Sequence, residues 1–320
     1  MTDSFPRQQA RTRNFSLGAP RSFQVSPDGG TVVFLRSAGG TDPATALWAL
    51  DVAAGTERLV AGPAALAGFG GEDDEAEKAR RERVRERATG IVAFATDAAC
   101  TVAAFTLAGR LYLAPLAAGG GAVTELPARV PAADPRPDPA GRLVAYTSGG
   151  ALRVVNPQTG DDRAVVDPDG AAGISFGSAE FVAAEEMDRT RGYWWAPDGS
   201  ALLVARVDEN PVQRWHIADP AHPAAPAREI RYPAAGTANA EVTAFIASVA
   251  GKLTRVAWDT RAFPYLVTAA WAGGHPPLLV VQTRDQKEQR LLSIDPGTGE
   301  TTVLRADTDP VWTDIVPGVP

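Results

Sequence analysis

Across 320 residues there is one cysteine, two methionines and three histidines, and each scarcity excludes a class of chemistry. The single thiol, Cys100, can close no intramolecular disulfide, so stability has to come from a buried core. Cys100 sits in a strand-like run and reads as a small apolar residue. One cysteine builds no zinc cluster, and the spacing His-Glu-x-x-His is absent. His216, His222 and His275 are scattered, the last two each directly before a proline. No Gly-x-Ser-x-Gly pentapeptide marks a hydrolase elbow, and nothing nominates a Ser-His-Asp set, so no catalytic residue is assigned. The glycine run at 119–121 lacks the Lys-Ser/Thr of a phosphate loop and reads as a hairpin turn. No apolar run reaches the ~18 residues of a membrane span. The opening "MTDSFPRQQARTRNFSLGAP" carries charge but no apolar centre for a secretory leader. These absences predict no metal, no cofactor, no membrane contact and a cytoplasmic location. The balance of 31 Lys and Arg against 38 Asp and Glu gives a net charge of -7. That leaves no basic face for nucleic acid and favours a cationic ligand.

What the chain does have is a repeated turn. "VSPDGGTVVFLRS" places Pro27, Asp28 and Gly29 before a β-branched strand from Thr31, and "ALWALDVAAGTERLVAG" continues it through a second turn at Gly55. Proline presets φ, aspartate bonds its own backbone, and glycine takes the positive φ. The same order returns at 137–166, 196–208 and 276–304, with a degenerate copy at 90–116. Short strands between such turns, without long 3.6-period stripes, predict an all-β fold. A four-stranded unit of about 40–50 residues is a β-propeller blade, and the chain holds about five to six such units.

Two features interrupt the repeat. "GEDDEAEKARRERVRERATG", residues 71–90, runs from acid to base and predicts a short charged helix, with Glu77 and Arg81 as an i,i+4 pair. It reads either as a solvated helix between strands or as a source of arginines that face a ligand. The second is the adjacent pair Glu185 and Glu186. Neighbouring carboxylates repel, and a primary ammonium with three donors relieves both. The pair is therefore either a trap for a free amine or a surface pair neutralised by Arg189 or Arg191. Trp194 and Trp195 read as core, Arg231 and Tyr232 as structural contacts, and Asp208 and Glu209 as a polar turn.

The string "AEFVAAEEMDRTRGYWWAPDGSALLVARVDENPV" at 179–212, followed by "IRYPAAGTANAEV" at 230–242, resembles the propeller region of the dipeptidyl peptidase IV family of serine peptidases. Glu-Glu-Met, Gly-Tyr-Trp-Trp, Val-Asp-Glu and Arg-Tyr-Pro-x-x-Gly-Thr-x-Asn match in order. The resemblance implies an eight-bladed N-terminal propeller, followed by an α/β-hydrolase domain that releases dipeptides after Pro or Ala. It implies that Glu185 and Glu186 hold the substrate's α-ammonium, and that a propeller arginine, with Arg83 and Arg87 as candidates, meets its carbonyl. The implied partners are a peptide with a free N-terminus and the hydrolase domain of the same protein, with a homodimer left open. With no hydrolase domain and fewer than eight blades, residues 1–320 are expected to be an incomplete propeller from a longer peptidase, inactive alone and with an exposed sheet edge. The rival reading is a free-standing propeller that binds a partner without catalysis.

Overall fold

A Pro-Asp-Gly turn reverses the chain within four residues, and its last residue must enter the left-handed region. The structure, a computed structural model, describes residues 4–67, 70, 71, 78, 81, 86–117 and 119–320. Four turns of this kind each join two successive antiparallel strands of a sheet. The bonds run from Gly29 N–H to the Ser26 carbonyl (2.8 Å), Cys100 to Asp97 (3.2 Å), Gly141 to Asp138 (2.9 Å) and Gly199 to Ala196 (2.9 Å). The three glycines have φ of 71°, 68° and 72°, and Cys100 has 54°. Cys100 is thus not a strand residue, as its sequence context suggests, but the turn residue of the degenerate copy. Its left-handed conformation costs about 1–2 kcal/mol, and its side chain is buried in return.

The first sheet is β1 (Arg21–Val25), β2 (Thr31–Ser37), β3 (Ala44–Asp51) and β4 (Thr56–Ala61), in that order, with β5 (Thr89–Gly90) parallel to β3. The second is β6 (Ala95–Thr96), β7 (Val102–Leu107), β8 (Arg110–Pro115) and β9 (Thr124–Glu125). The third is β10 (Ala133–Pro137), β11 (Val144–Ser148), β12 (Ala151–Val155) and β13 (Asp162–Val166). In the fourth, β14 (Ile174–Phe176) and β15 (Tyr193–Trp195) both pair with β16 (Ala201–Asp208), followed by β19 (Glu241–Ser248) and β20 (Leu253–Arg255). The fifth is β21 (Tyr265–Ala270), β22 (Leu278–Gln282), β23 (Glu288–Ile294) and β24 (Thr301–Thr308). Antiparallel meanders of four strands are the blades of a β-propeller. A separate ribbon, β17 (Arg214–Ile217) with β18 (Arg228–Arg231), leaves the fourth blade between β16 and β19. Sequence patterning gives no sign of this ribbon.

Two compact units are present: Met1–Ser148 with Arg153–Ala164, and Gly149–Leu152 with Val165–Pro320. The first has a core of Val33, Leu35, Leu47, Ile91, Phe105 and Tyr112 from its first two blades. The second packs Leu203, Ala205, Ile246, Leu266, Leu279 and Val281 from its two blades. The last strand, β24, is exposed at all but its first residue, with Val303 and Leu304 facing solvent. An opening helix, α1 (Phe5–Arg11), precedes β1. The charged helix expected at 71–90 falls largely outside the described residues, including Glu77. Its exit is described: Gly90 has φ 76°, and a Cβ there would stand 2.5 Å from the Thr45 carbonyl oxygen. No helix among the described residues is long and apolar enough to cross a membrane.

The third sheet carries a buried polar network. Tyr146, fully buried, donates its hydroxyl to Asp162 Oδ1 at 2.7 Å and accepts from the Arg129 N–H at 2.8 Å. Arg153 completes it with bonds to both Tyr146 and Asp162. Burial first, and the bond to Asp162 second, push the Tyr146 hydroxyl up to about 12. A phenol whose pKa is raised by folding stabilises below its unfolded value of about 10 and loses that contribution as pH climbs from 10 to 12. Tyr146→Phe is therefore expected to cost about 1–3 kcal/mol in urea melts at neutral pH. The gap to the parent protein should narrow between pH 10 and 12. A gap that stays constant across that window would contradict the assignment.

Candidate functional site: the glutamate pair and its scaffold

Six residues, "FVAAEE", form helix α2 (Phe181–Glu186) just before β15. A helix this short does not persist by itself, because nucleation costs more than one turn of bonds returns. Its surroundings hold it. Glu180 is the N-cap, and its Oε1 accepts the Ala183 N–H at 3.2 Å. Its other oxygen takes Arg189 Nη2 at 2.7 Å, in an ion pair whose side chains are 2% (Arg189) and 5% (Glu180) exposed. Arg189 also donates Nε to the Leu266 carbonyl and Nη1 to the Arg191 carbonyl, both at 3.0 Å. One guanidinium thus ties the start of α2, the chain beyond it and strand β21. Met187, the C-cap, packs on Val267 and Val280, with Val182 and Tyr265 alongside.

Glu185 and Glu186 lie in the last turn of α2, and both are exposed. No basic residue occupies that turn, so two carboxylates stand at the negative end of the helix, where a cation is favoured. Neither carboxylate has a hydrogen bond or ion pair to any of the described residues. The arginines that could have neutralised them are engaged elsewhere: Arg189 by Glu180, and Arg191 by the Tyr193 carbonyl (2.7 Å from Nη2) and the Trp194 ring (5.2 Å). The surface-pair reading with Arg189 or Arg191 is not what the chain adopts.

The other motif elements gather around this helix. Trp194 and Trp195 are both buried, as expected of core residues. Asp208 accepts the Asn210 N–H at 3.0 Å, closing a polar turn, and the Glu209 N–H bonds the Gly173 carbonyl at 2.8 Å. Arg231 donates to the Glu209 carbonyl and to Asn210 Oδ1, so it links Val-Asp-Glu to Arg-Tyr-Pro. Tyr232 meets Phe181 of α2 edge-to-face at 5.2 Å, and Asn239 donates to the Tyr265 hydroxyl at 3.1 Å. Glu180 was not a candidate from sequence, and glutamate is not among the residue types that usually cap a helix, so no local signal marks it.

Of the candidate arginines, Arg83 lies outside the described residues. Arg87 is exposed and belongs to the other unit, where it lines a polar recess of about 380 Å3 with Arg13, Arg21 and Glu86. Arg21 pairs with Glu86 at 2.8 Å, and Arg13 donates to the Arg87 carbonyl. Among the described residues, no three His, Cys, Asp or Glu side chains converge to hold a metal ion.

Removing one partner of a buried ion pair strands the other charge. Arg189→Met is therefore expected to destabilise the fold by about 3–5 kcal/mol, and the double variant Glu180→Gln/Arg189→Met by clearly less. Urea denaturation of the three proteins checks this. Equal losses in the single and double variants would show that the pair is not the fastening.

Comparison with known proteins follows the same outline. The model of the "Dipeptidyl peptidase IV (DPP IV) N-terminal region" matches residues 101–317. Dipeptidyl peptidase 8 of Mus musculus and of Homo sapiens are each 38% identical to this chain over 78 residues, covering 22% of it and 9% of the relative. The crystal structure of Porphyromonas gingivalis dipeptidyl peptidase 4 superposes with a TM-score of 0.69 at 16% identity, covering 98% of this chain and 43% of that one. The chain therefore spans less than half the length of that solved relative, and the shared fold is the propeller. With two thirds of its length matched and its blades superposed, the chain belongs to the family of dipeptidyl peptidase IV N-terminal regions.

Proposed function

We propose that residues 1–320 form the substrate-recognising propeller portion of a serine-type dipeptidyl peptidase, with Glu185 and Glu186 holding the α-ammonium of a peptide. The observation that carries this reading is the exposed carboxylate pair at the end of a helix fastened by a buried ion pair, with no cation among the described residues to neutralise it. An ammonium has three donors, enough to bond both glutamates and keep one for a further acceptor. Holding the amine fixes how far along the peptide any nucleophile can reach, and a reach of two residues gives dipeptide release. The nucleophile, its histidine and the oxyanion donors would come from a hydrolase domain of the same protein. In this reading the 320-residue chain binds and orients but does not cleave.

Titration calorimetry with the tripeptide Ala-Pro-Ala and its N-acetylated form tests the reading. The free amine is expected to bind and the acetylated form to bind at least tenfold more weakly. Glu185→Gln or Glu186→Gln should cost about 1.5–3 kcal/mol of affinity, the worth of one charge-assisted bond, or roughly 10–100-fold. The melting temperature should be unchanged. Equal affinity for both peptides, or variants that bind as the parent does, would overturn the ammonium role. A parent chain that binds neither peptide but captures another protein would favour the non-catalytic scaffold.

A further inference from the structure

The fourth and fifth blades enclose, at one end, a cavity of about 800 Å3 that the ammonium reading does not use. Four connections line it: β15–β16, β19–β20, β21–β22 and β23–β24. In an antiparallel meander the first and third connections fall at the same end of the sheet, so both blades contribute two turns here. The Val-Asp-Glu turn and the ribbon leave β16 at its other end, at Asp208. The seven residue steps of β16 from Ala201, at the cavity, to Asp208 span about 24 Å.

The walls are largely apolar and stiff. Pro197, Pro276 and Pro296 have fixed φ, Ile246 is buried, and the half-buried Trp271 packs on the core of the second unit. The turns are tied to one another. The Val249 N–H bonds the Ser200 carbonyl at 2.9 Å, and the Ala257 N–H bonds the Gly299 carbonyl at 2.8 Å. A Cβ at Gly299 would collide with the Arg255 carbonyl oxygen, so the last turn of the fifth blade rests directly on β20. A preformed apolar cavity of this size with a few convergent polar groups is the usual make-up of a small-molecule site.

The charged groups that face the cavity divide by sign. Asp198, its one acid, is committed to its own turn, where Oδ1 accepts the Ser200 N–H at 2.9 Å and the Ser200 hydroxyl at 2.7 Å. The two basic side chains, Lys252 and His275, are exposed. Neither has a side-chain hydrogen bond or ion pair to any of the described residues, and the same holds for the Trp271 Nε1–H. An ammonium offers donors only, so Lys252 calls for an acceptor that the lining does not supply. The negative charge is thus bound up in a turn while the positive charge is free. A carboxylate meets that demand with charge-assisted bonds, and the Trp271 ring favours a flat apolar body behind it.

We propose that this cavity binds a small aromatic carboxylate, with Lys252 and His275 on the carboxylate and Trp271 against the ring. The inference stands apart from the ammonium reading, because it uses the opposite charge and the opposite end of the fourth blade.

Titration calorimetry of the 320-residue chain with 2-naphthoate and its uncharged counterpart 2-naphthamide is the test. Naphthoate is expected to bind at least tenfold more tightly than the amide. Lys252→Met should weaken naphthoate about tenfold and leave the amide within about twofold, and His275→Ala should weaken naphthoate about threefold. Trp271→Leu should weaken both probes alike, by about fivefold, and keep their ratio. Excess Ala-Pro-Ala should not displace naphthoate. Equal affinity for acid and amide, or a Lys252→Met variant that binds naphthoate as the parent does, overturns the proposal. Loss of both probes together in Lys252→Met would give that residue a structural role and overturn its contact with the carboxylate. Displacement by Ala-Pro-Ala would put naphthoate on the peptide site and overturn the cavity, while leaving the ammonium reading standing. Sedimentation supplies the last arm: a dimer that Lys252→Met dissociates and naphthoate does not would assign the cavity to a subunit contact and overturn the proposal.

Discussion

A guanidinium that is 2% exposed must find anions or carbonyls inside the protein, and Arg189 finds a carboxylate and two carbonyls at once. Taking two charges out of water costs several kcal/mol per ion, and only good geometry with all donors engaged recovers it. Here the geometry does more than balance that cost. It fixes the start of a six-residue helix against a blade strand, and the end of that helix is where Glu185 and Glu186 are presented. Because Arg189 is consumed by Glu180, it is withheld from the glutamate pair, which stays exposed and without an arginine partner among the described residues. The site's charge is thus a consequence of how its scaffold is fastened.

The remaining motif residues serve that arrangement. Arg231 joins the turn after β16 to the end of the ribbon, Tyr232 rests on Phe181, and Asn239 reaches the Tyr265 hydroxyl beside Met187. Segments as far apart as Arg189 and Leu266, 77 residues along the chain, meet around one short helix. Their order in the sequence follows the order of strands in the fourth blade and the start of the fifth. The string of motifs is recognisable because each piece holds the next.

Much of the blade pattern was legible because Pro-Asp-Gly turns are local: φ preference and an Asx bond act within four residues. The copy at Asp97–Cys100 was harder to read, since a cysteine takes the left-handed position and only the carbonyl bond reveals the turn. The ribbon was hidden for another reason. Its two four-residue strands are largely exposed and carry Arg, His and Glu, so no alternation of burial marks them. The glutamate pair could be nominated from like-charge repulsion alone, but its scaffold could not. Spacing offered Arg189 to Glu185 or Glu186 as readily as to Glu180, and only burial decides between them.

In the proposed complex both carboxylates of the pair receive one ammonium. The most direct measurement is the carboxyl carbon resonances of Glu185 and Glu186 in the labelled chain, titrated with Ala-Pro-Ala and with its N-acetylated form. Both resonances should shift together and saturate with the free amine, and stay in place with the acetylated peptide. Resonances that do not move, or that move equally with both peptides, would contradict it.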